Sequence, residues 1–209
     1  MRRLVVKMEM SLDGYVGRDG EDPQWPLEYF DEHLASYERR QLMKAGVHAM
    51  GRIAYEAMAP YWQQSTESFA PSMNDTPKAV FSRSLPESEA TWPVTTVYRD
   101  LSEGIAELKA QGGYEELAPV LAHGGASFVQ QLTRLRLVDE YRICVHPVVF
   151  GQGYRLFTAP ERLYLISTRF FAKGSLAHTY VPEHAYQLRP PPLPWAQGAD
   201  EHDQDRQPD

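Results

Sequence analysis

The chain has one cysteine, Cys144, in 209 residues, so no intrachain disulfide can form and no paired-cysteine metal motif exists. Cys144 lies in the alternating run Tyr141-Arg142-Ile143-Cys144-Val145, which suits a buried thiol acting as a small apolar residue rather than a nucleophile. No apolar run is long enough to span a bilayer. The start, Met1-Arg2-Arg3-Leu4-Val5-Val6, lacks both the apolar length and the small-residue cleavage site of a secretory signal. The expectation is a soluble, cytoplasmic protein with no membrane partner. The 21 Lys and Arg are scattered among 28 Asp and Glu, for a formal charge of −7, and they leave no electrostatic footprint for nucleic acid. No Ser-His-Asp or Cys-His set occurs. His123 and His146 have no second ligand at metal spacing and read as core histidines, so no metal is expected.

What the chain does have is enough apolar residue, 43% with 11% aromatic, to build a substantial core. Leu4 to Met10 reads as a first strand ending at the turn signal Ser11-Leu12-Asp13-Gly14, where Asp13 caps the turn. An irregular acidic loop from Gly17 to Pro26 follows. Apolar spacing then predicts a helix over Leu27–Lys44, a strand at Val47–Met50 and a short helix from Ile53 that Pro60 stops. Lys78–Phe81 and Val94–Val97 read as strands, and Leu101–Ala110 as a helix closed by Gly112-Gly113. After Leu137 the pattern changes to one long strand-like run, Asp139–Val149, then the turn Gly151-Gln152-Gly153 with Leu156-Phe157. Leu163–Phe171 and Ser175–Val181 form a hairpin about Lys173-Gly174. The fold class is α/β, a mostly parallel central sheet flanked by helices with antiparallel strands added at the carboxyl end. Residues 1–186 form the domain. Residues 187–209, Pro-rich and then acidic, form a flexible tail.

The most informative stretch is His123-Gly124-Gly125-Ala126-Ser127-Phe128, which reads as strand, glycine turn, helix. Such a turn lets the backbone approach an anion and aims the free amides of the next helix at it; a tight structural turn is the plainer alternative. Gly51-Arg52 after the second strand and Ser82-Arg83-Ser84 after the third add guanidinium and hydroxyl groups at strand carboxyl ends, where open α/β sheets bind ligands.

Met8-Glu9-Met10-Ser11-Leu12-Asp13-Gly14-Tyr15-Val16-Gly17, Met50-Gly51-Arg52-Ile53-Ala54-Tyr55-Glu56, Val80-Phe81-Ser82-Arg83, Gly124-Gly125-Ala126-Ser127-Phe128 and His146-Pro147-Val148-Val149-Phe150-Gly151-Gln152-Gly153 together resemble the dihydrofolate-reductase-like superfamily. The branch they resemble most contains the reductase domain of bifunctional riboflavin-biosynthesis enzymes. The resemblance implies an NADPH-dependent reductase that delivers a hydride to a small pteridine-, pyrimidine- or flavin-like heterocycle. By similarity, Gly124, Gly125, Ala126 and Ser127 hold the pyrophosphate. Arg52, Ser82 and Arg83 face the adenosine ribose and its 2′-phosphate, Gly51 is a further cofactor-binding residue, Ile53 and Ala54 add backbone donors, and Val16 and Gly17 line the nicotinamide side.

Folate-reducing members carry an acidic residue early in the first helix, after a tryptophan. Here Trp25-Pro26-Leu27-Glu28-Tyr29-Phe30-Asp31 offers Asp31, then Glu28, as catalytic proton donor, with burial beside Trp25 raising the pKa. The alternative is that both carboxylates simply favour the positive end of the helix. Tyr61, Trp62 and Trp92 form either a substrate wall or core packing. The implied state is a homodimer through the edge made by the carboxyl-terminal strands. The substrate is not legible, and the rival function is a dinucleotide-binding protein without turnover. No tandem deaminase precedes the reductase-like region, so a complete bifunctional enzyme is not expected.

Overall fold

A computed structural model describes residues 1–20, 24–67, 70–111 and 118–186. The sequence-predicted tail and the Gly112-Gly113 closure lie outside these residues.

Strands β1 (Leu4–Ser11), β2 (Val47–Gly51), β3 (Lys78–Phe81), β4 (Thr95–Tyr98), β5 (Val120–His123), β6 (Glu140–His146), β7 (Leu163–Phe170) and β8 (Leu176–Pro182) form one sheet in the order β4-β3-β2-β5-β1-β6-β8-β7. The six strands from β4 to β6 run parallel, and β8 is antiparallel to both of its neighbours. Among the described residues the α-helices are α1 (Glu32–Met43), α2 (Arg52–Gln64), α3 (Ala70–Asp75), α4 (Leu101–Ala110), α5 (Ala126–Arg134) and α6 (Glu183–Tyr186).

Alternation along β1 separates two environments, because successive strand side chains point to opposite faces. Leu4, Val6 and Met8 pack with Ile105 and Leu108 of α4 and with Phe128, Val129 and Leu132 of α5. Truncating a fully buried leucine such as Leu132 to alanine costs about 2–5 kcal/mol. On the other face Val5 meets Leu121 and Ala45, and the same alternation then places Lys7 and Glu9 there. A second apolar cluster of Met50, Tyr55, Ala59, Met73, Val80, Leu85 and Trp92 fills the space under α2 and α3.

Four element boundaries differ from expectation. The long first helix is two pieces: a 3-10 turn at Trp25–Tyr29, then α1, whose N-cap is Asp31. Pro60 does not stop α2; it sits on the exposed face, where water can reach the carbonyl that its missing N–H leaves unpaired. The helix α3 had no sequence forecast, being only six residues long. The long run after Leu137 ends at His146, since Pro147 cannot donate to a ladder and Val148 N–H instead closes a turn onto the His146 carbonyl at 2.8 Å. The hairpin of β7 and β8 forms as read.

Candidate functional site

The parallel neighbours β2 and β5 each feed directly into a helix, so the starts of α2 and α5 lie side by side at the carboxyl edge of the sheet. Their contact is intimate. Gly124 and Gly125 have φ of +83° and +75°, and a Cβ on Gly124 would meet the Ala54 methyl at 3.0 Å. Gly51 packs on Phe128 of α5, leaving 3.3 Å for any Cβ there. First-turn amides have no intrahelical acceptor, so two sets of donors and two positive dipole ends converge on one spot. Arg52 extends from this spot, its Nε to Glu56 at 2.6 Å and a terminal nitrogen to Ser84 Oγ at 3.0 Å. Ser82 Oγ accepts from the amides of Ser84 and Leu85 at 3.3 and 3.0 Å, ordering the loop that carries the exposed Arg83. Arg99 fastens the same loop through the carbonyls of Ser82 and Leu85.

The first loop reaches this edge by backbone pairing. Val16 N–H donates to the Tyr154 carbonyl at 2.9 Å and Tyr154 N–H to the Gly17 carbonyl at 2.8 Å. Gly153 faces the Gly17 carbonyl so closely that a side chain there would collide with it. Gln130 of α5 donates to the Arg155 carbonyl at 2.6 Å, which ties the loop to the helix that follows the glycine pair. Asp13 does more than close its own turn: its carboxylate accepts from Ser11 Oγ at 2.7 Å and from the amides of Phe150 and Gly151 at 3.1 and 2.7 Å. These donors, the Ser11 hydroxyl foremost, bring its pKa down to about 2.

The face of the sheet under α1 holds a continuous polar chain. Lys7 Nζ lies 2.6 Å from Glu38 Oε2 and 2.7 Å from Glu9 Oε1; Glu9 Oε2 meets His146 Nε2 at 2.9 Å, and His146 Nδ1 meets Ser175 Oγ at 2.9 Å. Burial disfavours each charge, but the two glutamates outweigh it at Lys7 and hold the ammonium above its usual range. Lys7 and His146 likewise outweigh burial at Glu9 and hold it at about 2. At Glu38 burial wins over Lys7 and raises the carboxyl to about 7. Above this chain, half-buried Trp25 and Tyr29 pack on the His146 ring at 5.2 and 5.3 Å, and Phe30 stacks on it at 6.1 Å. Glu9, Cys144 and His146 present ligand atoms within 4.8 Å of one another. The Lys7 ammonium already on Glu9, and the burial that raises the Cys144 thiol, both oppose a dication there.

A scan of family models matches residues 2–176 to the RibD C-terminal domain. The chain belongs to the RibD C-terminal domain family. That family is the reductase of the riboflavin pathway, and its reductase domains are NADPH-dependent in general. The chain is 26% identical over 188 residues to the uncharacterized protein YyaP of Bacillus subtilis, covering 86% of this chain and 94% of YyaP. Among solved structures it is similar to Acinetobacter baumannii RibD (TM-score 0.62, 15% identity, 87% of this chain and 58% of that one). It is also similar to the deaminase/5-amino-6-(5-phosphoribosylamino)uracil reductase of Thermotoga maritima (TM-score 0.61, 15% identity, 87% of this chain and 56% of that one). These likenesses show the dihydrofolate-reductase-like fold that the motifs implied. No helix among the described residues is long and apolar enough to cross a membrane.

Within this RibD-like frame the structure brings Gly51, Arg52, Ile53, Ala54, Ser82, Gly124, Gly125, Ala126 and Ser127 to one edge, with Val16 and Gly17 on the adjoining loop. The two candidate acids stand elsewhere. Glu28 is exposed in the 3-10 turn, and its backbone carbonyl accepts from Lys173. Both oxygens of Asp31 are occupied, accepting from the amides of Leu34 at 2.8 Å and Ala172 at 2.7 Å. Those amides, Leu34 first, lower its pKa, which corrects the expectation that burial beside Trp25 raises it. Trp92 is core packing: it is 1% exposed, its amide donates to Tyr55 Oη and its indole N–H to Asn74. Lys7, Glu9 and Glu38, which build this buried polar chain, were not among the residues the sequence pointed to. The available signal was a lysine and a glutamate two apart, within a strand whose other residues are mostly apolar.

Proposed function

We propose that this chain is an NADPH-dependent reductase of a small pteridine-, pyrimidine- or flavin-like heterocycle. The observation that carries the reading is the contact of the Gly124-Gly125 turn with Ala54, which joins two helix starts into one anion cradle. A side chain at Gly124 would press on the Ala54 methyl and push the two helix starts apart. On this reading the amides of Gly124 to Ser127 hold the pyrophosphate, with Ile53 and Ala54 opposite. Arg52, Ser82 and Arg83 receive the 2′-phosphate, and Val16 and Gly17 border the nicotinamide. The bound cofactor supplies the hydride; the protein orients the ring against substrate and excludes water. Trp25 and Tyr29, half-buried above the polar chain, give a flat heterocycle a surface to stack on. The same reading makes the molecule a cytoplasmic homodimer joined at the free edge of β7, where Phe170 is 79% exposed.

The rival, a dinucleotide-binding protein without turnover, is favoured by one observation, the use of both Asp31 oxygens as backbone acceptors. Incubating the full chain and NADPH with dihydrofolate, a dihydropterin and a ribosylaminopyrimidine separates the two. Loss of nicotinamide absorbance is the expected result, and binding without oxidation across the panel supports the rival.

A further inference from the structure

Glu38 projects from the middle of α1 onto the sheet and is 6% exposed. Its Oε2 is buried 2.6 Å from Lys7 Nζ, which it shares with Glu9. One ammonium therefore serves two carboxyl groups, and ionising both would leave a buried negative charge in excess. Glu9 has a second partner in His146, whereas Lys7 is the only one within ion-pair distance of Glu38 among the described residues. The groups that face Glu38 are Lys7 and Glu9 of β1, Arg142 and Cys144 of β6, and Tyr37 on its own helix. The shared proton accordingly resides on Glu38.

The location matters as much as the charge. Lys7 pairs in register with His123, the residue immediately before Gly124. The Glu38–Lys7 pair thus lies mid-way along β1, level with the end of β5 where the cradle begins, and is joined through Glu9 to the His146 ring that Trp25 and Tyr29 cover.

We propose that Glu38, and neither Glu28 nor Asp31, supplies the proton of the reduction. This rests on the reductase reading. A bound NADPH would supply hydride to the carbon of a C=N bond, whose π pair would move to nitrogen. Nitrogen takes the carboxyl proton of Glu38, and the carboxylate left behind is paired with Lys7 until solvent reprotonates it. The products are the C–H/N–H compound and NADP+.

Two measurements on the full chain test this. Carbon-13 NMR of glutamate-labelled protein should show one carboxyl titrating near pH 7 that disappears in Glu38→Gln; its persistence in that variant overturns the assignment. With whichever panel substrate the wild type reduces, Glu38→Gln should lower kcat on the order of 10²–10⁴-fold with KM for NADPH unchanged. The wild-type rate should fall about tenfold per pH unit above the titration, and Glu38→Asp should recover part of the activity. Wild-type kcat and pH profile in Glu38→Gln would sink the role of Glu38 and leave the reductase standing. Failure of the wild type to bind NADPH, or to oxidise it with any substrate, removes the reductase and this inference together.

Discussion

Gly124 and Ala54 touch across the starts of two helices, with 3.0 Å separating the Ala54 methyl from the place a Gly124 side chain would occupy. Gly124→Ala therefore meets two obstacles, a φ of +83° and a blocked Cβ. It should cost about 1–3 kcal/mol of stability and weaken NADPH binding at least tenfold. Denaturant unfolding and a fluorescence titration read the two effects separately.

On the proposed reading Arg52 and Arg83 receive the extra phosphate dianion that distinguishes NADPH from NADH. Arg52→Ala and Arg83→Ala should each weaken NADPH far more than NADH. Equal loss for both cofactors would refute the assignment. Little stability should change, because the Arg52–Glu56 pair is about half exposed and such pairs contribute roughly 0–1 kcal/mol.

Lys7 is the hub of the buried polar chain. Removing it as Lys7→Met leaves the buried Glu9 carboxylate with His146 alone and Glu38 with no cation within ion-pair distance, and should cost about 3–5 kcal/mol. Adding Glu9→Gln and Glu38→Gln to that variant should return most of the loss. Urea unfolding of the single and triple variants checks this, and a Lys7→Met protein as stable as wild type would contradict the ion pairs.

His48 and His123 form a buried pair, with His123 Nε2 3.0 Å from His48 Nδ1. Burial first, then Lys78, lowers His48 to about 4, while His123 is lowered by burial, His48 and Lys7. The unfolded chain thus binds protons that the folded chain refuses, so stability is lost as pH falls from 6.5 towards 4. His48 alone accounts for about 3 kcal/mol over that span. Melting curves across this range should show a shallower slope in His48→Gln.

The parallel body and the hairpin were legible because most strands are short apolar or alternating runs and several end at glycine or proline, as at Gly14, Gly51, Gly124 and Gly174. The strand-to-helix steps at Gly51-Arg52 and at Gly124-Gly125 were legible because an apolar run ends there and a helical period begins. Helix boundaries near Asp31 and Pro60 were not, since capping by Asp31 and exposure of the Pro60 face depend on tertiary placement. Glu38 was hidden for the same reason. Nothing in Tyr37-Glu38-Arg39-Arg40 distinguishes a carboxyl aimed at the sheet from one aimed at water until Lys7, 31 positions earlier, is brought beneath it. Asp31 looked like the acid because sequence order places it after Trp25, but the fold uses it to pin α1 to the β7–β8 turn through Ala172.

The most direct test of the account is titration of the full chain with NADPH, followed by intrinsic fluorescence and melting temperature. Saturable binding that is tighter than for NADH and raises the melting temperature is the predicted result. An unchanged melting curve and fluorescence at millimolar NADPH would contradict it.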